Sequence, residues 1–157
     1  MKKRNYVHIL LCLALTFMLV CPLTVSAAEQ VAPDQKTELF ELINQKRTEC
    51  GSPVLSHDFA LDNTSRIRVL EVSTSFLHTR LDGRHFSTAL NDSNVPFRRC
   101  AEVLALNCAN PEDVLNVWLS SPLHCEAILS SKYTNIGISS YVADDGLTYW
   151  TAHLSSH

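Results

Sequence analysis

Four residues carry the side chains best suited to chemistry. His124 and Cys125 are adjacent in "LSSPLHCEAILSS", residues 119–131. His78 lies in "SFLHTRLDGR" and Glu102 in "CAEVLAL". A cysteine beside a histidine suggests a thiolate with its base. Two histidines with a carboxylate suggest a divalent metal site, in which zinc lowers the pKa of a bound water to about 7. Each residue also has a structural reading. His124 falls in the first turn of an expected helix, where a histidine can be solvated or can cap. His78 sits in a turn-rich loop. Glu102 interrupts an apolar strand, where a carboxylate must face solvent or be paired, because an unpaired buried charge is costly. The nucleophile reading of Cys125 is the weakest. Adjacent helical side chains do not face each other, and catalytic Cys–His pairs are assembled by the fold. There is no GxSxG, HExxH, GxxxxGK[ST] or GxGxxG, so any site draws on separate segments.

The elements that must position these residues follow from local signals. A helix is expected over 37–48, capped by Asp34 or Thr37, with Leu39, Phe40, Leu42 and Ile43 on its apolar face. A second helix is expected from Ser56–Asp58 onward, with Phe59, Asn63, Ile67 and Leu70 on one side. Residues 74–99 read as a structured loop with a short helix at 85–91. "CAEVLAL" reads as a strand. Asn110-Pro111 and Ser121-Pro122 are two helix starts with proline at the first helical position. "NIGISSYV" and "LTYWTAHL" flank "ADDG", a β-hairpin signature. Helices come mostly first and an antiparallel sheet last, which predicts an α+β fold.

The N-terminus is a separate matter. Lys2, Lys3 and Arg4 precede an apolar run at residues 9–20, and "VSAA" follows at 25–28. This predicts a secretory signal peptide over 1–27, a polar linker over 28–35 and one domain over 36–157. The apolar run is short for a spanning helix, which needs roughly 20 residues, so no stable membrane span is expected in the mature chain. The leader contains basic residues but no acidic ones, so the mature chain is more acidic than the whole chain's −3. That argues against nucleic acid as a partner. Cys50, Cys100, Cys108 and Cys125 remain. An even count in an exported chain predicts two disulfides. Of the three connectivities, Cys100–Cys108 with Cys50–Cys125 is favoured: the first closes a short loop, and the second ties the first helix to the last.

In order and spacing, "SFLHTRLDGRHFSTAL", "CAEVLAL", "PEDVLNVWLSSPLHCEAIL", "YTNIGIS" and "YWTAHL" resemble the CAP superfamily of SCP-like domains, most closely its bacterial extracellular branch. The resemblance covers about residues 36–155. It implies an α-β-α sandwich with a central antiparallel sheet and a cleft lined by His78, Glu102 and His124. It implies zinc or another divalent cation on His78 and His124, with Glu102 as a further ligand or as the group activating water. It also implies an extracellular module for a lipid, cell-wall or protein ligand, with a metal-assisted, peptidase-like hydrolase as the alternative. The chain departs from the family pattern at three places. Ala101-Glu102-Val103 stands where "GEN" is common, Ser121 where a second cleft glutamate is common, and Ala152 where a glutamine follows "YW".

Overall fold

The computed structural model describes residues 33–157, with side chains from residue 35 onward. The expected signal peptide lies outside the described residues, as does most of the expected linker. Among the described residues no helix is long and apolar enough to cross a membrane.

The first helix, α1 (Pro33–Glu49), starts earlier than expected, so Asp34 and Thr37 both lie inside it. Leu39 and Ile43 are fully buried on its inner face, with Phe40 and Leu42 packed beside them. The same face ends in a buried arginine, Arg47. Its guanidinium donates to the carbonyls of Pro53 (2.7 Å), Ile128 (2.5 Å), Ser130 (3.1 Å) and Tyr133 (3.3 Å). After a two-residue strand, β1 (Ser56–His57), comes α2 (Phe59–Thr74), N-capped by Asp58 as its position suggests. A short helix, α3 (Thr88–Asp92), begins three residues later than the expected 85–91. Strand β2 (Arg99–Leu106) leads to α4 (Pro111–Ser120) and α5 (Pro122–Leu129), and the hairpin β3 (Asn135–Val142) and β4 (Thr148–Ser156) closes the chain.

The sheet order is β1-β3-β4-β2. The β3–β4 and β4–β2 pairs are antiparallel, and only the short β1 runs parallel to its neighbour. The expected α-β-α sandwich is present. One face of the sheet carries Val103, Ala105, Ile136, Ile138, Trp150, Ala152 and Leu154 toward α1, α4 and α5. Trp118 of α4 is buried in this apolar layer.

The other face is polar. Glu102, Ser139, Thr151, His153 and Ser155 are all buried on it. Over it lies α2, which buries Leu61, Thr64, Ser65, Arg68, Val69 and Val72. This corrects the expected face of α2: Phe59 is 76% exposed and Leu70 43%. The buried side of the helix mixes apolar Leu61, Val69 and Val72, the last two packed on Leu104 and Tyr149, with Thr64, Ser65 and Arg68 over the polar part of the sheet face, so hydrophobicity alone did not mark it.

The two disulfides are also corrected, since all four described cysteines are free. Cys100 sits near the start of β2 and Cys108 beyond its end. An extended strand rises about 3.3 Å per residue, so the two lie many ångströms beyond the roughly 4.4–6.8 Å that a disulfide spans between Cα atoms. The tie expected from Cys50–Cys125 is made by Arg47, which links α1 to the end of α5 without a covalent bond.

At the start of α4, the Asn110 side chain accepts from the Asp113 amide at 2.9 Å and donates to its carboxylate at 2.8 Å. Asn110→Ala is expected to cost about 1 kcal/mol, measured by urea unfolding. An unchanged midpoint would mean the cap contributes nothing to this helix.

Candidate functional site

The sheet order makes β2 an edge strand, so groups from both helical layers meet beside it. Glu102 points from β2 toward the α2 side. His78 arrives on the loop after α2, and His124 from the first turn of α5, just after Pro122. The three line one cleft of about 570 Å³, with Phe86, His85, Ser121 and Leu123 among the other walls. The sequence-predicted residues are therefore brought together.

Their roles are unequal. Glu102 has no exposed side-chain surface. It accepts from Arg68 Nε at 2.8 Å and from Arg68 Nη2 at 3.3 Å. It also pairs with His78 Nδ1 at 2.9 Å and His153 Nε2 at 3.2 Å. Burial pushes its pKa up, but hydrogen bonds from His153, His78 and Arg68 outweigh that and hold it at about 2. An ionised carboxylate only accepts, so His78 donates from Nδ1. In the neutral ring the lone pair is then on Nε2. This is the way a carboxylate orients a metal-binding or ligand-binding imidazole. The Glu102 oxygens are thus engaged by the protein, and among the described residues no group of three side chains is placed to hold a metal ion.

His78 and His124 face each other with ring centroids 6.0 Å apart. His124 Nδ1 is buried and has no hydrogen-bond partner among the described residues. Burial lowers the pKa of His124, and the neighbouring His78 lowers it further. Ser121, which holds the place of the family's second acid, lines the cleft.

The loop bearing His78 is pinned by charges that sequence reading missed. Arg68, fully buried on α2, donates from Nη2 to the Leu77 carbonyl at 2.8 Å, directly beside His78. It also bonds Glu71 through Nη1. Glu71 accepts from Arg80 Nη2 at 2.7 Å, and Arg80 Nη1 reaches Asp92 at 2.7 Å. Arg84 then joins Asp92 and Asp82. Alternating charges therefore run from Glu102 to the surface. Phe86 packs between His85, His78 and His153, at centroid distances of 4.3, 6.4 and 5.9 Å. Alternation along β4, "TYWTAHLSS", is the only sequence signal that puts His153 on the face of Glu102.

Cysteine chemistry has no support here. The Cys100 thiol, at the cleft wall, is pushed up to about 11 by burial and by Glu102. A nucleophile requires the thiolate. Cys108 is likewise raised, chiefly by burial.

Acid should weaken the fold in two stages. His124 and fully buried His153 both have pKa values below the ordinary 6.5; burial is the main cause for each, opposed at His153 by Glu102. The unfolded chain then binds more protons, so stability falls as pH drops below about 6.5. The folded pKa of Glu102 is depressed, so its contribution is complete above 4.5 and is lost as pH falls toward about 2. Melting temperatures from pH 8 to 3 test this; a flat profile from 7 to 4 would contradict it.

Comparison with known proteins gives one family. Residues 40–154 match the cysteine-rich secretory protein family, CAP. No curated protein matches the sequence. Among solved structures, an outer surface protein from Borrelia burgdorferi superposes with TM-score 0.75 at 20% identity, covering 83% of this chain and 98% of that one. An extracellular SCP-domain protein from Bacillus anthracis gives 0.73 at 21%, covering 87% and 45%. A cysteine-rich secretory protein from Staphylococcus aureus gives 0.67 at 21%, covering 80% and 39%. The chain thus spans nearly all of the first protein but less than half of the other two. These likenesses show the fold, and with the match over residues 40–154 they show that the chain belongs to the cysteine-rich secretory protein (CAP) family.

Proposed function

We propose that this protein is an extracellular ligand-binding domain whose cleft takes a polar segment of cell-surface material between His78 and His124. One observation carries the reading: two imidazoles set edge to face at an open cleft, one with a buried nitrogen that no described group satisfies. Buried polar atoms are almost always partnered, so a ligand atom is the natural complement. The walls, with three histidines, Glu126, Lys132 and two serines, suit a polar ligand. A lipid tail is better served by an apolar pocket. Export is supported by the expected signal peptide and by two structural neighbours, an extracellular protein of Bacillus anthracis and a secretory protein of Staphylococcus aureus.

A divalent cation fits the pair in part. Around a tetrahedral ion two zinc–nitrogen bonds hold their nitrogens about 3.3 Å apart, so the two rings, 6.0 Å apart between centroids and edge to face, must turn and draw closer to share one ion. Bound there, the cation would polarise a ligand oxygen. His78 and His124 would hold it, with the remaining positions filled by water or ligand. Glu102 would orient His78 and would not itself be a ligand. Glu102 cannot serve as the base of the hydrolase reading, because a carboxylate held at about 2 and fully engaged accepts protons poorly at neutral pH.

The test is paired. Calorimetric zinc titration at about pH 7 should show weak binding, and His78→Ala/His124→Ala should abolish it. The same variant should lose retention on purified peptidoglycan sacculi. Equal behaviour of variant and native protein in both assays would remove the reading. Peptide turnover by the native domain that His124→Ala abolishes would favour the hydrolase instead.

A further inference from the structure

We propose that the groove continues past the histidines into a subsite for a phosphate or phosphodiester group, built by Arg98, Arg99 and Lys132. A second hollow of about 400 Å³ is lined by these three residues with Ser131, Ser156 and His157. It shares Lys132 with the histidine cleft. The walls are also continuous in sequence. On one side Arg98 and Arg99 line the second hollow, and Cys100, Ala101 and Glu102 line the first. On the other side the turn at 130–133 contributes to both. The two hollows are consecutive stretches of one groove along the β2 edge, beyond which the sheet has no further strand among the described residues.

The charge here is unspent. The protein is acidic overall, and its other groove-side and core arginines are committed. Arg47 is bound to carbonyls, and Arg68, Arg80 and Arg84 to carboxylates. Arg98 and Arg99 are exposed, with no ion pair or side-chain hydrogen bond among the described residues. Lys132 meets Glu126 only at 3.6 Å, with both side chains more than half exposed, so an oxyanion can compete for it. His157, which lines the hollow, lies 3.8 Å from the Asp58 carboxylate.

The frame is firm. The Arg98 amide donates to the Ser156 carbonyl at 2.7 Å. Arg47 holds the Ser130 and Tyr133 carbonyls of the opposite wall. Guanidinium forks match oxyanions bidentately, and an ammonium adds a point charge. Two forks, one ammonium and two hydroxyls can engage more oxygens than a planar carboxylate offers. A tetrahedral phosphate supplies them. The subsite stands without the histidine reading; a single ligand spanning both stretches rests on it.

The test is an amide and guanidinium NMR titration with inorganic phosphate at fixed ionic strength. Saturable shifts are expected at Arg98, Arg99 and Lys132, smaller with acetate. Arg98→Gln/Arg99→Gln should weaken phosphate binding about tenfold or more, and Lys132→Gln should weaken it less. Arg98 and Arg99 have no side-chain partners to lose and Lys132 has only its long, exposed contact with Glu126, so melting temperatures should hold. His78→Ala/His124→Ala should leave the phosphate shifts in place, so failure of the cleft reading and failure of this one are separable. Soluble poly(glycerol phosphate) and phosphatidylglycerol vesicles then distinguish a polymer from a lipid headgroup as the source; retention by either that the double arginine variant loses supports the subsite. An acetate response equal to that of phosphate, unchanged binding in the double arginine variant, or retention by neither phosphodiester probe would overturn the proposal.

Discussion

Replacing Arg68 by methionine is expected to cost the domain about 3–5 kcal/mol, because one partner of a buried ion pair is removed and the other remains. Arg68 and the Glu102 side chain have no solvent exposure. Without the guanidinium, Glu102 keeps only His78 and His153, and its carboxylate stays in the interior with less positive charge beside it. Glu71 and the Leu77 carbonyl lose a donor in the same step. The effect therefore reaches the site: the peptide beside His78 is freed, and zinc binding should weaken together with stability. Arg68→Lys should lie between native and Arg68→Met, since one ammonium cannot reproduce contacts to two carboxylates and a carbonyl. Adding Glu102→Gln to Arg68→Met should recover part of the loss, because the uncompensated charge disappears. Urea unfolding at pH 7 measures all three. A loss below about 1 kcal/mol for Arg68→Met would show that the network does not hold this face together.

This network marks the limit of what the sequence could reveal. The legible elements announce themselves locally. Asn110-Pro111 and Ser121-Pro122 start helices at those points, and "ADDG" turns a hairpin with Gly146 at φ +79°. The cleft histidines were legible only through resemblance, because nothing local sets His78 or His124 apart from a solvated histidine. Arg68 and Glu102 are 34 residues apart, and His153 is 51 residues beyond Glu102. No periodicity couples such positions. The partly polar sheet face also blurred the usual signal on α2, where apolar Phe59 and Leu70 face outward and Thr64, Ser65 and Arg68 face in beside Leu61, Val69 and Val72. The Cys100–Cys108 expectation failed for a different reason. It conflicted with the strand expected between the two cysteines, and strand geometry settles the conflict, because an extended segment holds its ends apart. Arg47 had no signal beyond its i+4 spacing from Ile43 on the buried stripe of α1.

The interface between α2 and the sheet yields the second large expectation, at Gly137. Glycine inside a strand ordinarily costs roughly 0.5–1 kcal/mol relative to alanine, so Gly137→Ala would stabilise an open position. Here the sign should reverse. A Cβ on Gly137 would lie 2.2 Å from the Asp62 nitrogen, 2.2 Å from the Leu61 carbonyl carbon and 2.5 Å from Leu61 Cβ. Two of these atoms are backbone in the first turn of α2, which cannot rotate aside as a side chain does. The helix end must lift, and several contacts go with it. The Asp62 carboxylate accepts from the Ile138 amide at 2.8 Å, and Ser65 donates to the Gly137 carbonyl at 3.0 Å. Leu61 is fully buried beside Leu90 and Val95. A loss of about 3 kcal/mol or more is expected, at the upper end of overpacking costs. Gly146→Ala is the control. It has open space around it but φ +79°, so only backbone strain of about 1–2 kcal/mol applies. Thr64 and Arg68 stand on the same helix as the clash and hold His153 and Glu102. Gly137→Ala should therefore also weaken ligand binding at the cleft, whereas Gly146→Ala should leave it unchanged. If both variants lose the same small amount of stability, α2 does not rest directly on β3, and the support inferred for His78 through Arg68 fails with it.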